Sequence, residues 1–160
     1  MTWISVAALG LAAILILRYY FAYLRARSEE CRELLSFLTE LERGMRRSLE
    51  TPSSVAKRFE AKRLGDSGFL SAISNGKSLS EAFDAAGDRM LLPETAKELL
   101  KRYFEGVGVG YLETELRELG RTIAELKTVA DREREEISRR GKVAGVLLFS
   151  LVAGALLLLM

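Results

Sequence analysis

Leu112-Glu-Thr-Glu-Leu-Arg-Glu-Leu-Gly-Arg-Thr-Ile-Ala-Glu-Leu-Lys-Thr-Val-Ala130 places its apolar residues at Leu112, Leu116, Leu119, Ile123, Leu126 and Ala130. Steps of four and three in alternation follow one face of an α-helix, and no strand tolerates that period. Ile137 takes up the same face after a break at Glu133. An equivalent seam runs through Cys31, Leu34, Leu38, Leu41 and Met45. Sustained coiled coils need more heptads than either seam offers, so both predict the core of one chain rather than a dimer. The second helix also carries Glu113–Arg117, Glu135–Arg139 and Glu136–Arg140 in the favourable i,i+4 order.

Shorter helices are predicted between the two seams. Thr51 before Pro52 supplies an N-cap ahead of a proline at the first helical position. That helix should run to about Arg63, with Val55 and Phe59 inward, and stop near Gly65. Ser78-Leu79-Ser80-Glu81 is a capping box that opens a helix through Ala82, Phe83 and Ala86. Pro93-Glu94 opens another, through Leu99, Leu100, Tyr103 and Phe104, and Gly106, Gly108 and Gly110 break it. Only two prolines occur, and no run alternates with the period of a half-buried strand. The predicted class is therefore all-α, a bundle of about six helices with the two long ones antiparallel.

Working outward, each long helix runs into an uncharged stretch. Trp3 to Leu17 carries no charge, and after Arg18 the apolar run continues through Tyr19, Tyr20, Phe21 and Tyr23 to Leu24. It reaches a spanning length of roughly 17–25 residues once Arg18 snorkels and the tyrosines sit at an interface. Val143 to Met160 is eighteen residues without a charge. The expected layout is an N-terminal transmembrane helix over 1–24, a charged helical domain over 25–142 and a C-terminal transmembrane helix over 143–160. A cleaved signal peptide fits the first segment less well, because no basic residue precedes Trp3 and Tyr20-Phe21-Ala22 is a poor cleavage site. Arg18, Arg25 and Arg27 flank the first segment on its inner side; Arg139, Arg140 and Lys142 flank the second. The positive-inside rule then predicts a cytoplasmic domain with both termini outward.

Composition narrows the chemistry. A net charge of +2 gives no reason to expect a nucleic-acid partner. With no His and a single Cys, the usual zinc ligand sets, His-dependent acid–base pairs and an intrachain disulfide are all excluded. Gly76-Lys77-Ser78 resembles the end of a phosphate-binding loop, but Ser71 stands where the motif needs a glycine and no strand leads in. Gly106 to Gly110 follows a helix and reads as a helix end and turn, not a dinucleotide fingerprint. Glu133, Glu135 and Glu136 lie among arginines on an exposed face, a poor setting for acid–base work. Gly141-x-x-x-Gly145 allows either close helix packing or a flexible junction. No enzymatic activity, cofactor or metal is expected.

Two family patterns emerge. Gly76 to Phe83, Leu92-Pro93, Leu99-Leu100 and Glu105 to Gly108 resemble the helical repeat of the type II secretion system F proteins, inner-membrane platforms whose cytoplasmic domains sit near a secretion ATPase. Those platforms carry two such domains and three anchors, whereas this layout has one domain and two. The whole plan is similar to the stage III sporulation protein AB family: an N-terminal anchor, a Leu-rich helix, a turn near Thr51-Pro52, the break at Gly106 to Gly110, a charged helix from Glu113 to Arg140 and an apolar tail from Gly141 to Met160. The glutamine usual early in that family's long helix is replaced around Glu113, Thr114 and Glu115. The resemblance implies a type II secretion F-like bundle acting as an assembly component in the mother-cell membrane of an endospore former. Its implied partners are a secretion-type ATPase similar to stage III sporulation protein AA, other membrane subunits of the complex and further copies of itself. Structural or partner-contact residues expected on this basis are Gly76, Ser78, Leu79, Glu81, Ala82, Pro93, Gly106, Gly108, Glu113 and Glu115. Arg18, Arg25, Arg27, Arg139, Arg140, Lys142, Gly141 and Gly145 are expected at the membrane boundary. The alternative is a membrane-anchored regulatory adaptor that dimerises through its long heptad helices.

Overall fold

The computed structural model describes the backbone of residues 2–108 and 110–159, and the side chains of residues 8, 10–108, 110–146 and 150. Seven helices follow one another, and no strand occurs among the described residues: α1 (Thr2–Ser48), α2 (Pro52–Arg58), α3 (Lys62–Ser67), α4 (Phe69–Ser74), α5 (Leu79–Ala86), α6 (Glu94–Gly106) and α7 (Leu112–Leu159). They form two compact units, one over Ala26–Asp131 and one combining residues 1–25 with 132–160.

In the larger unit the two predicted seams share one core. Cys31, Leu34, Leu38 and Leu41 of α1 are fully buried in the same cluster as Leu119 and Leu126 of α7. Phe37, one position off the α1 seam, is buried with them and starts a chain of aromatic contacts. Its ring meets Phe59 at 5.5 Å and Phe69 at 5.9 Å, both edge-on. Phe69 in turn lies 6.4 Å from Phe83 and 6.1 Å from Phe104. Phe69 opens α4, the short helix that packs against α2, α3 and α5, while α5 packs on α6. Leu112 is the exception on the α7 seam. It is 41% exposed, because it opens the helix beyond the end of the core that begins to close at Leu119.

The helix expected from Pro52 to about Arg63 ends at Arg58 instead, and α3 and α4 follow it, giving one helix more than about six. Two tertiary contacts cause the break. Phe59 turns extended at the end of α2 and lays its ring on Phe37. Glu33 of α1 then accepts hydrogen bonds from the Arg63 and Leu64 amides at 2.8 and 3.0 Å, starting a new helix where Ala61 supplies no side-chain cap. Gly68, at φ 83°, turns α3 into α4.

The smaller unit is an antiparallel helix pair. Arg140 of α7 donates to the Tyr20 hydroxyl of α1, and one residue on, Gly141 faces Phe21. Leu24 is buried, but Leu11, Leu15, Ile16, Tyr19, Val143 and Val146 are all more than half exposed. Among the described residues no helix is long and apolar enough to cross a membrane. Most of the predicted C-terminal span, and Trp3 to Ala7 of the N-terminal one, lie outside the residues whose side chains are described.

Candidate docking surface

Gly76 and Ser78, which imitate a phosphate loop in sequence, have a structural task. Gly76 (φ 91°) ends α4 with its N–H on the Ile73 carbonyl at 3.0 Å, while the Lys77 N–H reaches the Ala72 carbonyl at 3.1 Å. This is a Schellman closure, which favours glycine at its left-handed position. Ser78 then opens α5: its Oγ accepts from the Glu81 N–H at 3.2 Å, and Glu81 Oε2 accepts from the Ser78 N–H at 2.9 Å. The Ser78 N–H foremost, and then the Ser78 hydroxyl, which donates to the same Oε2 at 2.9 Å, hold the Glu81 carboxyl below its usual range. Leu79 and Ala82 point into the core. Pro93 is buried before α6, its carbonyl accepting from the Ala96 and Lys97 amides.

A second group forms where α6 gives way to α7. The Gly108 N–H donates to Glu115 Oε1 at 2.8 Å, so the structure joins two of the predicted residues across the glycine turn. The Tyr111 carbonyl accepts from the Thr114 and Glu115 amides, and the Tyr111 ring is 88% exposed. Gly106 and Glu113 lie nearby in sequence, both on the surface. Two small clefts of about 130 and 120 Å³ line the α6–α7 junction and share Arg102, Tyr103 and Glu118. Both are smaller than the roughly 300–1,000 Å³ usual for small-molecule sites. Tyr103 is largely buried, and burial, assisted by the Glu115 and Glu42 carboxylates, raises its phenol pKa. Among the described residues no three acidic or thiol side chains are gathered as metal ligands would be. A charged, shallow surface of this kind can take part in protein contacts.

The predicted boundary residues fall on α1 and α7. Arg18, Arg25, Arg139, Arg140, Lys142, Gly141 and Gly145 are exposed, and Arg27 is half-buried. Of the three predicted ion pairs on α7, Glu136–Arg140 closes; Glu113–Arg117 and Glu135–Arg139 do not, and Arg121 pairs instead with Glu125 at 2.9 Å. Sequence reasoning missed Glu30 and Glu33. Glu30 is 2% exposed and accepts from the Leu91 N–H at 2.7 Å, between α5 and α6. Nothing local in Glu29-Glu30-Cys31-Arg32-Glu33 marks these carboxylates as different from solvated ones; their partners lie 30 to 61 residues away.

An all-helical charged bundle whose first and last helices extend without a break into apolar ends defines a class of small helical-bundle proteins. The chain belongs to the stage III sporulation protein AB family, whose model matches residues 2–160, and so is a protein of sporulation. No curated protein and no solved structure matches it.

Proposed function

We propose that the chain is a non-catalytic platform of a secretion-like complex required for endospore formation. It is held in the mother-cell membrane and docks the complex's cytoplasmic ATPase, a protein similar to stage III sporulation protein AA, to the channel between mother cell and forespore. The observation that carries this reading is the pattern of exposure in the helix pair. Its large apolar side chains, Leu11, Leu15, Ile16, Val143 and Val146, face outward where a soluble helix pair would hide them. The arginines at the inner flanks of both apolar runs favour a cytoplasmic domain with both termini outward. A type II secretion F-like arrangement of the bundle is part of the same proposal. The heptad seams close on one another within the chain, which leaves the dimeric adaptor without its seam.

The test is capture of the tagged full chain from detergent-extracted membranes of sporulating cells. The expected result is co-isolation of a secretion-type ATPase, lost in the Arg102→Glu/Arg121→Glu variant of the α6–α7 surface. Retention of nothing but further copies of the chain would replace the platform with the adaptor.

A further inference from the structure

The helix pair contains a groove that neither the bundle nor the ATPase-docking role uses. It measures about 540 Å³. One wall is α1, presenting Ile14, Leu17 and Phe21; the other is α7, where Gly141, Ala144 and Gly145 replace bulk with backbone. Among the described residues, a Cβ built on Gly145 would meet nothing within 4 Å, and one on Gly141 would meet only the Phe21 ring at 3.9 Å. The space is therefore open, not a tight helix–helix seam.

Charge is distributed unevenly along it. Arg18 and Arg25 line the groove, two helical turns or about 10 Å apart. Both are exposed, neither pairs with a carboxylate among the described residues, and no acidic side chain lines the groove. The end near Ile14 and Gly145 is apolar. The groove thus has two guanidiniums toward one end and a hydrocarbon-lined slot toward the other. Guanidinium binds phosphate oxygens in a fork, and an unpaired pair of arginines needs an anion more than another helix does.

We infer that this groove is a binding site for one anionic glycerophospholipid. The phosphodiester bridges Arg18 and Arg25, and an acyl chain lies along Ile14, Leu17 and Phe21 against the small residues of α7. The inference rests on the membrane reading above and names a ligand that the reading lacks. A second copy of the chain would have to bring carboxylates to satisfy the arginines. The helix pair carries seven basic residues against three acidic ones, so a second copy would bring mostly like charge.

The full chain, purified in detergent, is titrated with dioleoyl phosphatidylglycerol or dioleoyl phosphatidylcholine, and bound lipid is counted by native mass spectrometry. The expected result is a single phosphatidylglycerol adduct at about tenfold lower concentration than phosphatidylcholine requires. Arg18→Gln/Arg25→Gln, at two exposed positions, should abolish that preference. Ala144→Leu should fill the slot and weaken both lipids. The tail-less headgroup glycerophosphoglycerol should not bind, which separates a lipid site from a simple phosphate site. Equal binding of both lipids, a preference surviving the double arginine change, or a dimer lost on Ala144→Leu in place of a lipid adduct would overturn the inference. Release of the chain from membranes by alkaline carbonate would instead refute the membrane reading itself.

Discussion

Replacing Phe69 with alanine should cost more than any other single truncation in the aromatic chain. Its ring is fully buried and stands between Phe37, Phe83 and Phe104, with centroids 5.9, 6.4 and 6.1 Å away. Removing a buried phenyl ring costs about 3–5 kcal/mol, the spread reflecting how far the cavity collapses. Here α1, α4, α5 and α6 all contribute to the cavity wall, so collapse is restricted and about 4 kcal/mol is expected. With a urea m-value of about 2 kcal/mol/M, the unfolding midpoint of the full chain in mild detergent should fall by about 2 M, read by circular dichroism. Phe59→Ala is the internal standard. Phe59 is only half-buried and touches one ring, Phe37, so its loss should cost less than half as much. A double-mutant cycle between Phe69 and Phe104 should show a coupling of about 0.5–1.5 kcal/mol. If Phe69→Ala shifts the midpoint no more than Phe59→Ala does, the idea that α4 is the hub of the core is wrong.

Leu49 ends α1 at φ 52° with its side chain 72% exposed. A left-handed leucine costs about 1–2 kcal/mol and its side chain recovers little of that here, so Leu49→Gly should raise Tm by about 2–5 °C despite glycine's larger unfolded-state entropy. An unchanged or lower Tm would show that the turn carries no strain. Burial, reinforced by the Glu33 carboxylate, raises the Glu30 pKa against the opposing pull of the Leu91 N–H, Arg63 and Lys97. The folded state therefore holds the Glu30 proton more tightly than the unfolded chain, and its contribution to stability should grow as pH falls from the raised value toward the ordinary glutamate value. Glu81 is shifted in the opposite direction, so the readout is the difference between wild type and Glu30→Gln across an acid titration of Tm. The wild-type Tm should rise relative to that of Glu30→Gln as pH falls through that window; a relative Tm that stays flat or drops would contradict the assignment.

The long-range plan could be read from the sequence because it is encoded in periodicity and local caps. Cys31 to Leu41 and Leu119 to Leu126 lie on the faces that their spacing assigns. The Ser78–Glu81 box and the Thr51 cap form with the partners a local rule supplies. The segment from Phe59 to Ser74 could not be read this way. Its helices are six residues each, too short to nucleate alone, and α3 begins where a carboxylate from another helix satisfies its amides. Of the candidate residues, Gly108 and Glu115 meet across a turn, while Gly76, Ser78 and Glu81 prove to be joint-makers between α4 and α5. Arg102 and Arg121 at the α6–α7 clefts resemble any solvated charge in sequence, since only the packing of two helices defines a cleft.

Glu30 and Glu33 sit one helical turn apart on α1, and between them they hold the start of α3 and the loop before α6. The order of synthesis gives this arrangement a consequence. A chain made from its N-terminus has both carboxylates in place before either loop leaves the ribosome, so each later segment meets a waiting acceptor. The core cannot close until Leu119 and Leu126 have also emerged. Until then the nascent chain exposes the apolar face of α1 through Cys31, Leu34 and Leu41, a natural substrate for holding chaperones. The domain is thus pinned early at its loops and sealed late by its last helix. Versions truncated within α7 should be captured by chaperones and degraded rather than accumulate as smaller folded forms.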